Sequence, residues 1–300
     1  LRSGGIHQTK RSLRLEGKMK KIHLDIDPYL VGSKVDQFVD WLRQECSFVP
    51  ASKADEVFVL GGDGALNDSI RRHYQFGIPF FGFNFGHVGF RLNSSDEDVL
   101  REVMEGEVQY IQGRMLHARV SDSRGTFGRD VLAFQDFYFE RTRIPTANFR
   151  VMIDGVVRSD PMMSDGIIVA APAGSTAYNA SAGGKIIPLD SKLLVVTGIC
   201  PAIFSEWRSL LISEDSTVEI EALNVKRRPV RLLADGILIP KATRALIYCA
   251  TETVTLGFAL SQNFREKVLN AQFSCQHAYV GNKKGVTGDD KSGKEEWTLE

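Results

Sequence analysis

The sequence predicts two architectures in one chain: an α/β domain built on a parallel sheet, then a β-rich domain. Three observations carry this. Apolar strands and amphipathic helices alternate up to about residue 110. Beyond it, two Asp-Gly pairs each sit between strand-like runs. The texture changes only there, and no internal repeat is visible. Apolar strands alternating with helices require a sheet covered on both faces, which is the parallel arrangement.

KIHLDI (21–26) reads as the first strand. Val35, Phe38, Val39, Leu42 and Cys46 recur at helical spacing and predict an amphipathic helix. VFVL (57–60) is a short, fully apolar strand, and Leu66, Ile70 and His73 then share one helix face. IPFFGFN (78–84) is another apolar strand. SSDEDVLREVMEG (94–106) opens with a Ser-x-x-Asp cap signal and sets Val99, Val103 and Met104 on one face. In the second region, FRVMIDGVVRS and VRLLADGILIP each predict a hairpin turning at Asp-Gly. RGTFGRDVLAFQDFYFE, STVEIEAL and RALIYCATETVTLGF read as further strands, and STAYNASAGG as a helical interruption. SQNFREKVLNAQF (261–273) returns to helical character. The expected organisation is an α/β domain over 19–112 plus about 257–278 and a β-rich domain over 113–256. Residues 1–18 are basic and lack periodicity, so they read as a vector-derived scar or an upstream extension. Residues 279–300 are polar and read as a disordered tail.

Composition narrows the function. The 37 basic and 37 acidic side chains balance, so net charge points to neither nucleic acid nor a membrane surface. No apolar run approaches the ~18 residues of a membrane span. Cys46, Cys200, Cys249 and Cys275 are widely spaced without a C-x-x-C pair. They read as buried free thiols in a reducing compartment, not as a zinc site or disulfide framework. The six histidines show no metal-ligand spacing, so no protein-ligated metal is expected. The cytoplasm is the default location.

VFVLGGDGALND (57–68) carries the first chemical signal. A strand ending in glycines lets a ligand approach the main chain. The following helix offers unpaired N–H groups and a positive dipole end, which suits phosphate. A carboxylate there would hold a divalent cation or accept a proton from an attacking hydroxyl, and both belong to phosphoryl transfer. An aspartate in an ordinary glycine turn has the same pattern, so the stretch alone leaves both readings open. It is not a Walker A loop, since Gly184-Lys185 is followed by Ile186, and it is not G-x-G-x-x-G.

SDGIIVAAPAGSTAYNASAGG (164–184) repeats the grammar of strand, small-residue loop and helix. Ser175, Thr176, Tyr178, Asn179 and Ser181 offer hydrogen-bonding groups, and Gly183 and Gly184 allow close approach or a helix stop. In PFFGFNFGHVGF (79–90), Gly82, Gly86 and Gly89 again suggest a loop approaching a ligand. His87 fits either a base or a structural loop histidine.

In order and spacing, GGDG (61–64), GFNFGHVGF (82–90) and DGIIVAAPAGSTAYNASAGG (165–184) resemble the NAD kinase family. The likeness spans about residues 55–205, with a weaker echo in FREKV. GGDG alone is shared with diacylglycerol, sphingosine and phosphofructokinase relatives, whereas GSTAY followed by SAGG is specific. The resemblance implies an ATP- or polyphosphate-dependent kinase, working with Mg²⁺ or another divalent cation, that phosphorylates the adenosine ribose 2′-hydroxyl of NAD to give NADP. It implies a sandwich-like second domain, a site between the domains, a chain end that returns to the first domain, and a homodimer or homotetramer. Asp63 matches the aspartate that orients or deprotonates the hydroxyl, and Gly61, Gly62 and Gly64 border the phosphates. Phe90 matches an aromatic near NAD, and Thr176, Ala177, Tyr178 and Ser181 match the adenine and ribose pocket. Asp165 matches an aspartate that can approach the nicotinamide end from a neighbouring subunit.

The chain departs from the family in three places. The usual Asn-Glu that binds ribose hydroxyls reads Gln135-Asp136. The usual T-P-T-G reads Ala171-Pro172-Ala173-Gly174, losing two hydroxyls, and P-I-C-P-H reads Gly198-Ile199-Cys200-Pro201-Ala202. These departures touch the acceptor side and leave Asp63 alone. Two other readings fit parts of the pattern: a lipid or other alcohol kinase of the same superfamily, and a weakly catalytic or inactive dinucleotide-binding sensor.

Overall fold

The structure, a computed structural model, describes residues 19–86, 89–122, 125, 127–202, 209–262 and 266–267. The first domain runs β1 (Lys20–Ile26), α1 (Ser33–Glu45), β2 (Cys46–Phe48), β3 (Glu56–Gly61), α2 (Asp63–His73), β4 (Phe80–Asn84), β5 (Asn93–Ser94) and α3 (Glu97–Glu105). β2, β1, β3 and β4 pair in parallel, in that spatial order. β3 shows why. Val57 and Val59 pack with Leu66 and Ile70 of α2, while Phe58 and Leu60 pack with Phe38 and Leu42 of α1. Side chains alternate across a strand, so a fully apolar strand needs a helix on each face.

The second region contains β6 (Val108–Ser121), β7 (Phe127–Ala133), β8 (Asp136–Arg141), β9 (Ala147–Ile153), β10 (Val156–Ser164) and β11 (Gly166–Ala170). After α4 (Tyr178–Ser181) come β12 (Leu193–Ile199), β13 (Ser209–Ser213), β14 (Val218–Leu223), β15 (Val230–Ala234), β16 (Ile237–Ile239) and β17 (Arg244–Ala259). Among the described residues, β13, β12, β11, β8, β15 and β16 form one antiparallel sheet in that order. Its Phe137, Phe139, Ile167 and Val169 meet Phe149, Val151, Val218 and Ile220 from β9 and β14 in a single apolar core, so the second domain is a sandwich. Both expected hairpins are present. Asp154-Gly155 and Asp235-Gly236 hold φ of 53° and 75°, and of 47° and 79°. Paired positive φ values mark the turn that matches strand twist.

The sheets of the two regions are continuous. β17 pairs antiparallel with β6 along most of its length, with β14 at its start, and parallel with β4 near its end. β6 and β17 therefore run through the expected boundaries near 112 and 257. The segment after β17 returns to the first domain: Lys267 Nζ donates to the Leu92 carbonyl at 2.7 Å, and Gln109 Nε2 donates to the Gln262 carbonyl at 2.8 Å.

Local expectations changed in three places. At α3 the N-cap is Asp96, which makes no capping bond and instead accepts the Ser94 hydroxyl at 2.5 Å. The helix within STAYNASAGG is a single turn. Cys46 and Cys249 are buried thiols as expected, but Cys200 is exposed, in a turn at φ 44°. No helix among the described residues is long and apolar enough to cross a membrane. His87, Cys275 and residues 1–18 and 279–300 lie outside the described residues.

Candidate active site

The Gly61-Gly62 turn ends β3, and Asp63 is the first residue of α2, with Gly62 as N-cap. A Cβ on Gly61 would lie 2.7 Å from the Ala65 Cβ, so this glycine lets the turn close on the helix. Gly62 and Gly64 differ. A Cβ on either would meet nothing within 4 Å. Their missing side chains leave open space beside unpaired helix N–H groups and the positive end of the helix dipole.

The Asp63 carboxylate is held from the opposite side. Oδ2 accepts the Phe90 N–H at 2.9 Å, and Oδ1 accepts the Arg91 N–H at 3.1 Å. Arg91 Nε lies 3.3 Å from Oδ1, and Nη2 donates to the Asp63 carbonyl at 3.3 Å. The guanidinium is almost fully buried, at 2% exposure. Its other end meets Gln135: with the amide oriented to satisfy both groups, Oε1 accepts from Nη1 at 2.7 Å and also from Nη2. One cation thus joins the first domain's aspartate to the second domain's Gln135.

Asp235 fixes the Gln135-Asp136 corner. Its carboxylate accepts the N–H groups of Phe134 and Gln135, each at 2.7 Å, and of Asp136 at 3.2 Å. Its own N–H donates to the Asp136 carbonyl at 3.0 Å. The Asp136 carboxyl is pushed up to about 7, first by burial, then by Asp235, with Arg91 pulling the other way. Burial also lowers the Lys267 ammonium pKa, against the opposite pull of the Asp63 charge.

The 172–184 loop docks on the same corner. The Ala171 N–H donates to the Gln135 carbonyl at 2.9 Å, and a Cβ on Gly174 would come within 2.2 Å of that oxygen. Ser175 and Asn179 turn inward: Ser175 Oγ donates to the Pro172 carbonyl at 2.8 Å, and Asn179 Oδ1 accepts the Thr197 hydroxyl at 2.6 Å. They shape the loop and are not free for a ligand. Thr176, Ala177 and Tyr178 are half-buried and Ser181 is exposed, so these four are left to face outward. Tyr178 meets the Tyr138 ring edge-on at 4.9 Å and lines a depression of about 540 Å³ with Asp165. Asp165 pairs with Arg141 through contacts of 2.5 and 3.1 Å. A second cleft of about 380 Å³, between α2 and β7, contains none of the expected site residues.

Gly82 and Gly89 do not serve the expected ligand approach. A Cβ on Gly82 would meet Leu92 at 2.1 Å, and one on Gly89 would meet Leu92 and Asn84 at 2.8 and 2.9 Å. Their role is packing. Sequence reasoning missed Arg91 and Asp235. Arg91 directly follows GFNFGHVGF, and that adjacency was the signal the sequence offered. Asp235 lay in an Asp-Gly pair whose hairpin role fully accounted for it.

Known proteins resemble this chain in sequence and in fold. Residues 140–241 match the family model for the ATP-NAD kinase C-terminal domain. The chain is 30% identical to the NAD kinase of Rickettsia akari and 31% identical to those of Rickettsia typhi and Rickettsia prowazekii. Each match covers 82% of this chain and 96% of the relative. Two solved structures share the fold. Yeast NADH kinase complexed with NADH aligns with a TM-score of 0.73 at 18% identity, over 92% of each chain. An NAD kinase from Archaeoglobus fulgidus in complex with ATP aligns with a TM-score of 0.64 at 22% identity, over 83% of this chain and 98% of that one. On the strength of these relatives and of the motifs its fold assembles, the chain belongs to the NAD kinase family, phosphotransferases that act on an alcohol group.

Proposed function

We propose that this protein transfers the γ-phosphoryl group of ATP, taken up with Mg²⁺, to the adenosine ribose 2′-hydroxyl of NAD. The observation that carries the reading is the Asp63–Arg91–Gln135 bridge, which sets the phosphate-side motif against the ribose-side motif. Asp63 Oδ2 has one amide partner and keeps a lone pair for the hydroxyl proton. As the ribose oxygen bonds to phosphorus, the bond to ADP breaks and the proton passes to Asp63. The N–H groups at the start of α2, beside Gly62 and Gly64, face the transferred group and stabilise its charge. Gln135 and Asp136 hold the ribose hydroxyls, while Thr176, Ala177, Tyr178 and Ser181 receive the adenine end. The cation is taken to arrive on the donor, since Arg91 Nε lies 3.3 Å from Asp63 Oδ1 and occupies that approach.

The test is direct. The protein is incubated with NAD, Mg²⁺ and ATP, and the product is coupled to an NADP-specific dehydrogenase. Sustained NADP formation is expected. Its absence with ATP and with polyphosphate, while NAD binding persists by calorimetry, would overturn the kinase reading. One observation favours a second reading, a dinucleotide sensor: both Asp63 oxygens already accept backbone N–H groups. A sensor binds NAD saturably and gives no turnover in the same assay.

A further inference from the structure

Two side chains on one face of β1 and a third distant in sequence meet beside the other end of α2. His23 and Asp25 lie on β1, and His73 is the last residue of α2. Ten residues of helix put His73 about 15 Å along the axis from Asp63. The candidate ligand atoms all lie within 4.8 Å of one another. His23 Nε2 is 3.4 Å from Asp25 Oδ1, and His73 Nε2 is 3.3 Å from Asp25 Oδ2.

The hydrogen bonding leaves this cluster incomplete. His23 Nδ1 stands 3.1 Å from the Val49 carbonyl oxygen. A carbonyl only accepts, so Nδ1 carries the proton. Nε2 then faces a carboxylate oxygen, a contact that needs either a shared proton or a metal cation between the two atoms. His73 Nε2 is buried without hydrogen-bond geometry to any partner. Around the three sits a supporting shell. Ser69 Oγ donates to Asp25 Oδ2 at 2.6 Å, and Arg72 Nη2 lies 3.1 Å from the same oxygen. Oδ2 is thereby occupied and Oδ1 remains for a ligand. An imidazole oriented by a backbone carbonyl and a carboxylate oriented by a hydroxyl are the usual setting of a metal ligand.

We propose that His23, Asp25 and His73 form a binding site for a divalent transition metal of the Zn²⁺ class, clamping the end of α2 to β1. Bonds of ~2.0–2.1 Å in a tetrahedron set ligand atoms roughly 3.3–3.4 Å apart; His23 Nε2 and Asp25 Oδ1 stand at that spacing, 3.4 Å, and His73 brings the third ligand atom within 4.8 Å of both. Two nitrogens and one oxygen select Zn²⁺ over Mg²⁺ or Ca²⁺, which take oxygen ligands. Arg72 places a positive charge beside Asp25, which opposes any cation, so the affinity rests on the two imidazole nitrogens. The fourth position is open to water. The site is remote from Asp63 and does not depend on which substrate the kinase uses.

The test uses the full chain, stripped with a chelator and titrated with Zn²⁺ by calorimetry and with Co²⁺ by visible absorption. One equivalent per chain, four-coordinate Co²⁺ bands and a Zn²⁺-dependent rise in Tm are expected. His23→Gln and His73→Gln should each weaken binding at least tenfold and abolish the Co²⁺ bands. Ser69→Ala, which removes only support, should weaken it about tenfold. His117→Gln, at an ion pair with Asp130 elsewhere, should leave binding unchanged. No saturable binding by the unaltered chain overturns the proposal. So does binding that survives unchanged in both His23→Gln and His73→Gln, since the metal then sits elsewhere. Circular dichroism of each variant separates lost ligands from lost folding.

Discussion

The Arg91 guanidinium stands 2.7 Å from the Gln135 amide oxygen, and the same group lies 3.3 Å from an Asp63 carboxylate oxygen. A single buried cation therefore sets the spacing between the candidate base and the candidate ribose ligand. Arg91→Met should lower kcat/KM for NAD by ~10²-fold, the scale of a misplacement of about 1 Å. Arg91→Lys should not restore it, because the planar fork that reaches both partners is lost. Steady-state assays of both variants decide this, and an unchanged kcat/KM in Arg91→Met removes the positioning role.

Asp63→Asn keeps an acceptor for one backbone N–H group but no base. Turnover should fall by ~10²–10⁴-fold, as for a lost general base, while NAD affinity changes little. Single-turnover kinetics and calorimetry separate the two effects. Near-normal turnover in the variant would falsify the assignment.

The glycines divide into two experimental classes. Gly62→Ala meets open space, so stability should move by no more than about 0.5 kcal/mol, while KM for ATP rises. Gly82→Ala places a Cβ 2.1 Å from Leu92 and should destabilise by about 1–3 kcal/mol. Urea melts together with donor titrations test the pair. An unaltered KM in Gly62→Ala would show that phosphate does not approach there.

Asp235→Ala strands three buried N–H donors on Phe134, Gln135 and Asp136. A loss of about 3 kcal/mol or more is expected, since each unsatisfied buried donor costs about 1–3 kcal/mol. Asp235→Asn should lose less, because asparagine keeps one acceptor and tolerates the positive φ of 47°. Denaturant midpoints of the two variants provide the comparison, and equal losses would refute the clamp.

The Asp136 carboxyl titrates at about 7 in the fold, well above its value in the unfolded chain. Between about pH 4 and 7 the folded state holds a proton that the unfolded state has released. Its contribution to stability is therefore full below this window and is lost as pH rises through it. Asp136→Asn should flatten that decline. Tm measured across the window for both proteins checks the sign, and parallel curves would exclude Asp136 as the cause.

Asp63, the 172–184 loop and both Asp-Gly hairpins were legible because each is a local pattern with a local cause. A strand that ends in glycine, a helix start and a turn of paired positive φ are all fixed within a few residues. Fold class followed from the same source, since fully apolar strands between helices demand a covered parallel sheet. Arg91 was not legible as a bridge, because its partners lie 28 residues before it and 44 after it, and only packing selects them. The same holds for Asp235, whose local role as a turn residue hid its second role. Gly82 and Gly89 misled because a glycine that admits a ligand and one that admits Leu92 leave the same letter in the chain. His23, Asp25 and His73 form no motif at all. Parallel pairing sets β1 beside β3, and α2, packed along β3, carries His73 back onto β1. Sequence fixes residue chemistry and local geometry, whereas the distance between residues far apart in the chain is decided by how sheets and helices pack.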